Sequence, residues 1–119
     1  SPMSMRAAIE AVKELEAKRK IGVLGDMREL GKYAIAAHET MGEFAAGVFD
    51  ILIGVGPLGK ILAEAAKKIG KIAHDKVFVV EDAAGATALL RDLLKSGDLV
   101  LVKASRAIGL DKLIDDLRI

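Results

Sequence analysis

An α/β fold with a mainly parallel sheet, covered by helices on both faces, is the architecture this sequence predicts. Three observations predict it. Short apolar runs rich in Val and Ile punctuate the chain at Ile21 to Gly25, Ile51 to Val55, Val77 to Val80 and Leu99 to Val102. None alternates apolar with polar residues, as expected of strands buried on both faces. Helical patterns fill the intervals, and strands that alternate with helices imply right-handed crossovers and parallel pairing.

Each element has its own justification. Met5, Ala8, Ile9, Val12 and Leu15 recur at helical spacing, with Ser4 placed to cap. After the first strand, Ala34, Ala37, Met41, Phe44, Ala45 and Val48 form a second stripe. Leu58, Ile61, Leu62, Ala65, Ala66 and Ile69 form a third, after the second strand. Asp82 is placed to cap a fourth helix that carries Ala86, Leu89, Leu90, Leu93 and Leu94, with Gly97 as its stop. Leu110, Leu113, Ile114 and Leu117 suggest a short final helix.

The chain has 119 residues, 52% hydrophobic, 29% charged and 3% aromatic. That length predicts a single domain over 1–119 with a real core and excludes a disordered chain. Eighteen Lys and Arg against seventeen Asp and Glu leave a net charge of +1. That balance gives no reason to expect a nucleic-acid partner. With no cysteine, disulfides, thiolate metal sites and cysteine nucleophiles are excluded. Charges interrupt every apolar run before the roughly 18 residues a membrane span needs. No secretion signal is read at the N-terminus, so no membrane partner and a cytoplasmic location are expected.

In a parallel sheet, ligands bind beyond the carboxyl ends of the strands. Those ends are Gly25-Asp26-Met27, Gly54-Val55-Gly56, Glu81-Asp82 and Lys103-Ala104-Ser105-Arg106. Gly54, Gly56 and Gly59 spell GxGxxG between a strand and a helix, with Glu81 and Asp82 after the next strand. One reading is a stand-alone dinucleotide-binding module, in which these glycines admit a pyrophosphate. The other is a tight turn with Pro57 opening a helix, which needs the same residues.

Three further stretches carry more information together than apart. They are the opening Ser1-Pro2-Met3-Ser4-Met5-Arg6, the run Gly25-Asp26-Met27-Arg28-Glu29-Leu30-Gly31 followed by His38 and Gly42, and Gly97-Asp98-Leu99-Val100-Leu101-Val102-Lys103-Ala104-Ser105-Arg106. In this order they resemble the C-terminal domain of the Mur ligases across essentially the whole chain. The likeness is closest to the MurF type, which joins D-alanyl-D-alanine to UDP-N-acetylmuramoyl-tripeptide.

The resemblance implies a Rossmann-like three-layer αβα sandwich that works as one part of a three-domain, ATP-dependent amide ligase. In that family an N-terminal domain holds the UDP-sugar. A central domain with a P-loop binds ATP with Mg²⁺ and activates a carboxylate as an acyl phosphate. The C-terminal domain closes over the nucleotide and helps present the amine. This chain lacks GxxxxGK[ST], so it is expected to be inactive alone and to hold no metal.

Residue by residue, Pro2 and Ser4 match the family hinge, with Arg6 beside them, and imply contact with the nucleotide. Ser1 stands where that hinge has Asn. Asp26 and Met27 fall on the family's GDM and imply substrate contact. Lys103, Ser105 and Arg106 fall on its KGSR, with Ala104 in place of the more usual Gly. An arginine, a lysine and a hydroxyl suit a carboxylate or phosphate.

Glu29 is a possible further site residue, or a capping or ion-pairing one. His38 is either functional or a packing histidine beside Ala37 and Met41. His38 and His74 lie far apart without a carboxylate cluster, which argues against a metal site.

Overall fold

The computed structural model describes residues 1–103. The predicted final helix and the residues Ala104, Ser105 and Arg106 lie outside the described residues. Four helices and four strands follow one another as α1 (Pro2–Glu14), β1 (Arg19–Gly25), α2 (Ala34–Ala46), β2 (Ile51–Val55), α3 (Gly56–Ile69), β3 (Val77–Val80), α4 (Ala83–Leu93) and β4 (Asp98–Lys103). Short 3₁₀ turns at Gly31–Tyr33 and His74–Lys76 lead into α2 and β3.

All strand pairs are parallel, in the order β3-β2-β1-β4. The chain steps one way from β1 to β3, then returns across the sheet to place β4 beside β1. Consecutive side chains along a strand point to opposite faces. On one face Leu24, Leu52, Leu99 and Leu101 pack with Met5, Ile9 and Val12 of α1, Met41 and Ala45 of α2, and Leu62 and Ala66 of α3. On the other, Ile21, Val23, Ile51, Ile53, Val100 and Val102 pack with Ala86 and Leu90 of α4. The helices therefore form a layer on each side of the sheet.

The central strands β1 and β2 are buried on both faces from Ile21 onward. β3 and β4 flank them and are only half-buried. The unbroken apolar character of the outer runs reflects contributions to both clusters, Leu99, Leu101 and Val77 to one and Val100, Val102, Phe78 and Val80 to the other. Their place at the flanks leaves those side chains only half-buried.

Several boundaries differ from the sequence expectation. Ser1, not Ser4, caps α1: its hydroxyl accepts the Ser4 N–H at 3.2 Å, and Ser4 answers with a bond to the Ser1 carbonyl. Pro2 can then open the helix, where its missing N–H is no loss. Gly97 does not stop α4, which ends at Leu93. It turns the chain into β4 with φ +93° instead. Asp82 does cap α4, accepting the Gly85 N–H at 2.9 Å.

α3 is held unusually close on two sides. A Cβ on Gly42 would fall 2.0 Å from the Leu62 carbonyl oxygen, and one on Gly54 would fall 2.1 Å from the Gly59 carbonyl oxygen. Only glycine lets α2 and β2 approach α3 this closely.

Candidate functional site at the carboxyl edge of the sheet

In an open parallel sheet the crevice forms where the strand order reverses. Here that point lies between β1 and β4, and the register pairs Leu24 with Lys103. The loop after β1 and the end of β4 therefore flank one crevice. Strand alternation puts Lys103 on the same face as Leu99 and Leu101, and the residue is half-buried.

Asp26 leaves the end of β1 and turns to α3. Its Oδ1 accepts the N–H groups of Leu58 at 3.1 Å and Gly59 at 3.3 Å. These are first-turn amides of a helix whose own cap, Val55, offers no side chain. A carboxylate there also meets the positive end of the helix dipole. Asp26 is thus a cap supplied from another strand, and it ties the β1 loop to α3.

Met27 was expected at the substrate and instead lies in the core, with 3% of its surface exposed. Its backbone N–H donates to His38 Nε2 at 2.8 Å, while His38 Nδ1 lies 2.6 Å from the Ala34 carbonyl. An amide can only donate and a carbonyl can only accept. These two partners assign the Nδ1–H tautomer of neutral imidazole. His38 is completely buried, so it is a structural tie between the β1 loop and α2.

Between these ties and α2 the chain makes an exposed loop. Glu29 has φ +63°, the one described residue other than glycine in the left-handed region. Its carboxylate forms no hydrogen bond or ion pair among the described residues.

The hinge residues are used locally. Pro2 and Ser4 belong to the first turn of α1 and its capping box. Arg6 lies 3.5 Å from Glu10 and stacks over the Phe44 ring at 4.4 Å from its centroid. Phe44 is near the C-terminal end of α2, which leads into the start of β2. Arg6 is therefore directed away from the carboxyl-edge loops.

The glycine-rich loop is compatible in shape with a phosphate and incompatible in charge. Gly56 has φ +82°, and a Cβ there would sit 3.0 Å from Asp26 Oδ1. Run as Gly54…Gly59-Lys60, the loop has the spacing of a phosphate-cradling one but places Ile61 where the hydroxyl belongs. Two of its donors already face the Asp26 carboxylate, and Pro57 has none. A pyrophosphate would have to displace that carboxylate or lie against it, so the dinucleotide alternative loses its chemical basis. What remains beside the loop is a hollow between Pro57, Lys60, Val79 and Glu81. Among the described residues no group of three His, Asp or Glu side chains is placed to hold a metal ion. No described helix is long and apolar enough to cross a membrane.

A parallel sheet with its reversal point between a carboxylate-pinned loop and a lysine defines an open α/β domain with a crevice at its carboxyl edge. Residues 1–106 match the Mur ligase, glutamate ligase domain family, and the chain belongs to that family. It is 34% identical over 119 residues to the UDP-N-acetylmuramoyl-tripeptide–D-alanyl-D-alanine ligase of Bacillus subtilis, covering 98% of this chain and 26% of that protein.

Among solved structures, MurF from Acinetobacter baumannii superposes with a TM-score of 0.76 at 24% identity, over 98% of this chain and 26% of that one. That likeness speaks for the fold. MurF ligase from Thermotoga maritima in complex with ADP gives a TM-score of 0.71 at 26% identity, over 97% of this chain and 25% of that one. The chain thus spans about a quarter of the length of the relatives it matches.

Proposed function

We propose that this chain is the acceptor-side, C-terminal part of a longer ATP-dependent ligase that adds D-alanyl-D-alanine to UDP-N-acetylmuramoyl-tripeptide in peptidoglycan precursor synthesis. One observation carries the reading: the whole chain aligns with a ligase of that name, yet fills only about a quarter of it. The remaining three quarters would supply the N-terminal and central domains, and the nucleotide-linked substrate suits a cytoplasmic enzyme.

ATP would supply the phosphoryl group that converts the tripeptide's terminal carboxylate into an acyl phosphate. The dipeptide amine then attacks that carbonyl carbon, phosphate leaves with the C–O bonding pair, and the nitrogen loses a proton to give the amide. ATP and Mg²⁺ would be bound mainly by the other domains of the full-length enzyme, as the family resemblance implies. Lys103 supplies a positive charge at the reversal point. Ser105 and Arg106 lie outside the described residues, and the family resemblance alone assigns them to the same anion. Asp26 and His38 fix the loop that faces it. Pro2, Ser4 and Arg6 lie at the hinge from which closure would orient the reactants and exclude water.

The test is dipeptide-dependent phosphate release by the full-length ligase. Lys103→Ala and Arg106→Ala each remove a charge-assisted contact and lower kcat/KM about 10- to 100-fold. Wild-type turnover in both removes the site assignment, and a wild-type enzyme that releases no phosphate with the dipeptide removes the function.

A further inference from the structure

The loop after β1 contains an expense without a structural return. Glu29 adopts φ +63°, a region in which a side chain with a Cβ crowds the following carbonyl. Gly31, two residues on, has φ +55° and is the residue type such a conformation favours. The sequence therefore places glycine at one left-handed position of this loop and glutamate at the other.

Nothing among the described residues compensates that choice. Glu29 is exposed, and its carboxylate has no partner. The flanking backbone is firmly held, by Asp26 on the α3 amides and by Met27 on the buried His38. The strain is therefore imposed by an anchored loop, and it leaves one carboxylate exposed on the loop that follows β1. Strained conformations of this kind concentrate where a side chain must meet a ligand.

Building on the ligase reading above, we propose that Glu29 is the carboxylate that binds the ammonium group of the incoming dipeptide. Asp26, which the sequence resemblance places in contact with substrate, is engaged with α3 and acts on the loop. A dipeptide acceptor arrives as a zwitterion. Its ammonium meets Glu29, while Lys103 across the crevice gives its carboxylate a partner of opposite sign. Glu29 is then an acceptor-binding residue. Asp26 is a positioning residue.

Two variants separate binding from strain. Glu29→Gln keeps the Cβ and removes the charge, and it should raise KM for D-Ala-D-Ala about 10-fold in the full-length ligase. KM for ATP and the trapping of the activated carboxylate by hydroxylamine, a small nucleophile that needs no ammonium pocket, should stay at wild-type values. Glu29→Gly relieves the backbone, so the 119-residue chain should melt about 4 °C higher, while KM for the dipeptide rises as in Glu29→Gln. Wild-type KM for the dipeptide in both variants overturns the proposal and leaves Glu29 a turn residue. A wild-type enzyme that gives neither amide nor hydroxamate overturns the ligase reading itself.

Discussion

At the amino end of β1, Arg19 donates from Nε to Asp98 Oδ1 at 2.9 Å and from Nη2 to Asp98 Oδ2 at 2.7 Å, and Nη2 also reaches the Leu93 carbonyl at 2.7 Å. The Lys95 N–H donates to the same carboxylate at 2.8 Å. At the carboxyl end of the same strand, Asp26 reaches across to α3, Met27 hangs on a buried histidine, and Glu29 stands strained, without a partner among the described residues. The first end joins β1, β4 and the end of α4 through the matched charges of Arg19 and Asp98. The second joins β1 to α2 and α3 and leaves charge over. The comparison teaches that polar groups of one residue type serve opposite purposes within one strand's length, and that partner geometry, not residue identity, separates them.

The largest expected effect falls on the carboxyl end. His38→Ala leaves the Met27 amide without an acceptor in a site closed to water and opens a cavity, so it should cost about 3 kcal/mol in urea unfolding. A loss below about 1 kcal/mol would mean the loop does not need its tie.

Next comes the amino end. Asp98→Ala strips Arg19 of its bidentate partner and should cost about 2 kcal/mol by the same measurement, with ligase turnover unchanged at a temperature where the variant is folded. This pair also sets a pH dependence. The bonds from Arg19 hold the Asp98 carboxyl below its ordinary 3.8. Its stabilisation is therefore complete above that pH and is lost as the pH falls through it toward the folded value. Midpoints recorded from pH 5 down to pH 2 should fall more steeply for the wild type than for Asp98→Asn.

The smallest effect on stability, and the sharpest on the comparison, belongs to Asp26. Asp26→Ala removes a helix cap and should cost about 1 kcal/mol. Because it also frees the β1 loop, turnover with the dipeptide should fall well beyond what that loss explains. Equal and small effects on both readouts would make the two ends alike.

Much of this could be read from the residues. β2 and β3 begin and end where their apolar runs do, at Ile51–Val55 and Val77–Val80, because a run bounded by glycine or charge has few other places to stop. β1 starts earlier than its apolar run because Arg19 pairs with Asp98 in the ladder. That contact joins residues far apart in sequence and has no local signature. The same distance hid the role of Asp26. Its place at a strand end was legible, but its partners lie 32 and 33 residues on. Met27 looked like part of a motif because the alternation that would mark it as buried ends with the strand at Gly25. The unusual φ of Glu29 leaves no trace in its residue type.

The glycines that let α3 lie against both α2 and β2 have a further consequence. Gly42, Gly54 and Asp26 act on the same helix from three directions. A methyl group added at Gly54 can be accommodated only by pushing the first turn of α3 outward, and that motion draws its amides away from Asp26. Packing and capping are then two descriptions of one joint. Free-energy changes measured for Gly54→Ala and Asp26→Ala separately will exceed the change measured for both together, because the first substitution already spends the bond that the second removes. Once either Gly54 or Asp26 has changed, a change at the other costs the domain less than it would have cost before.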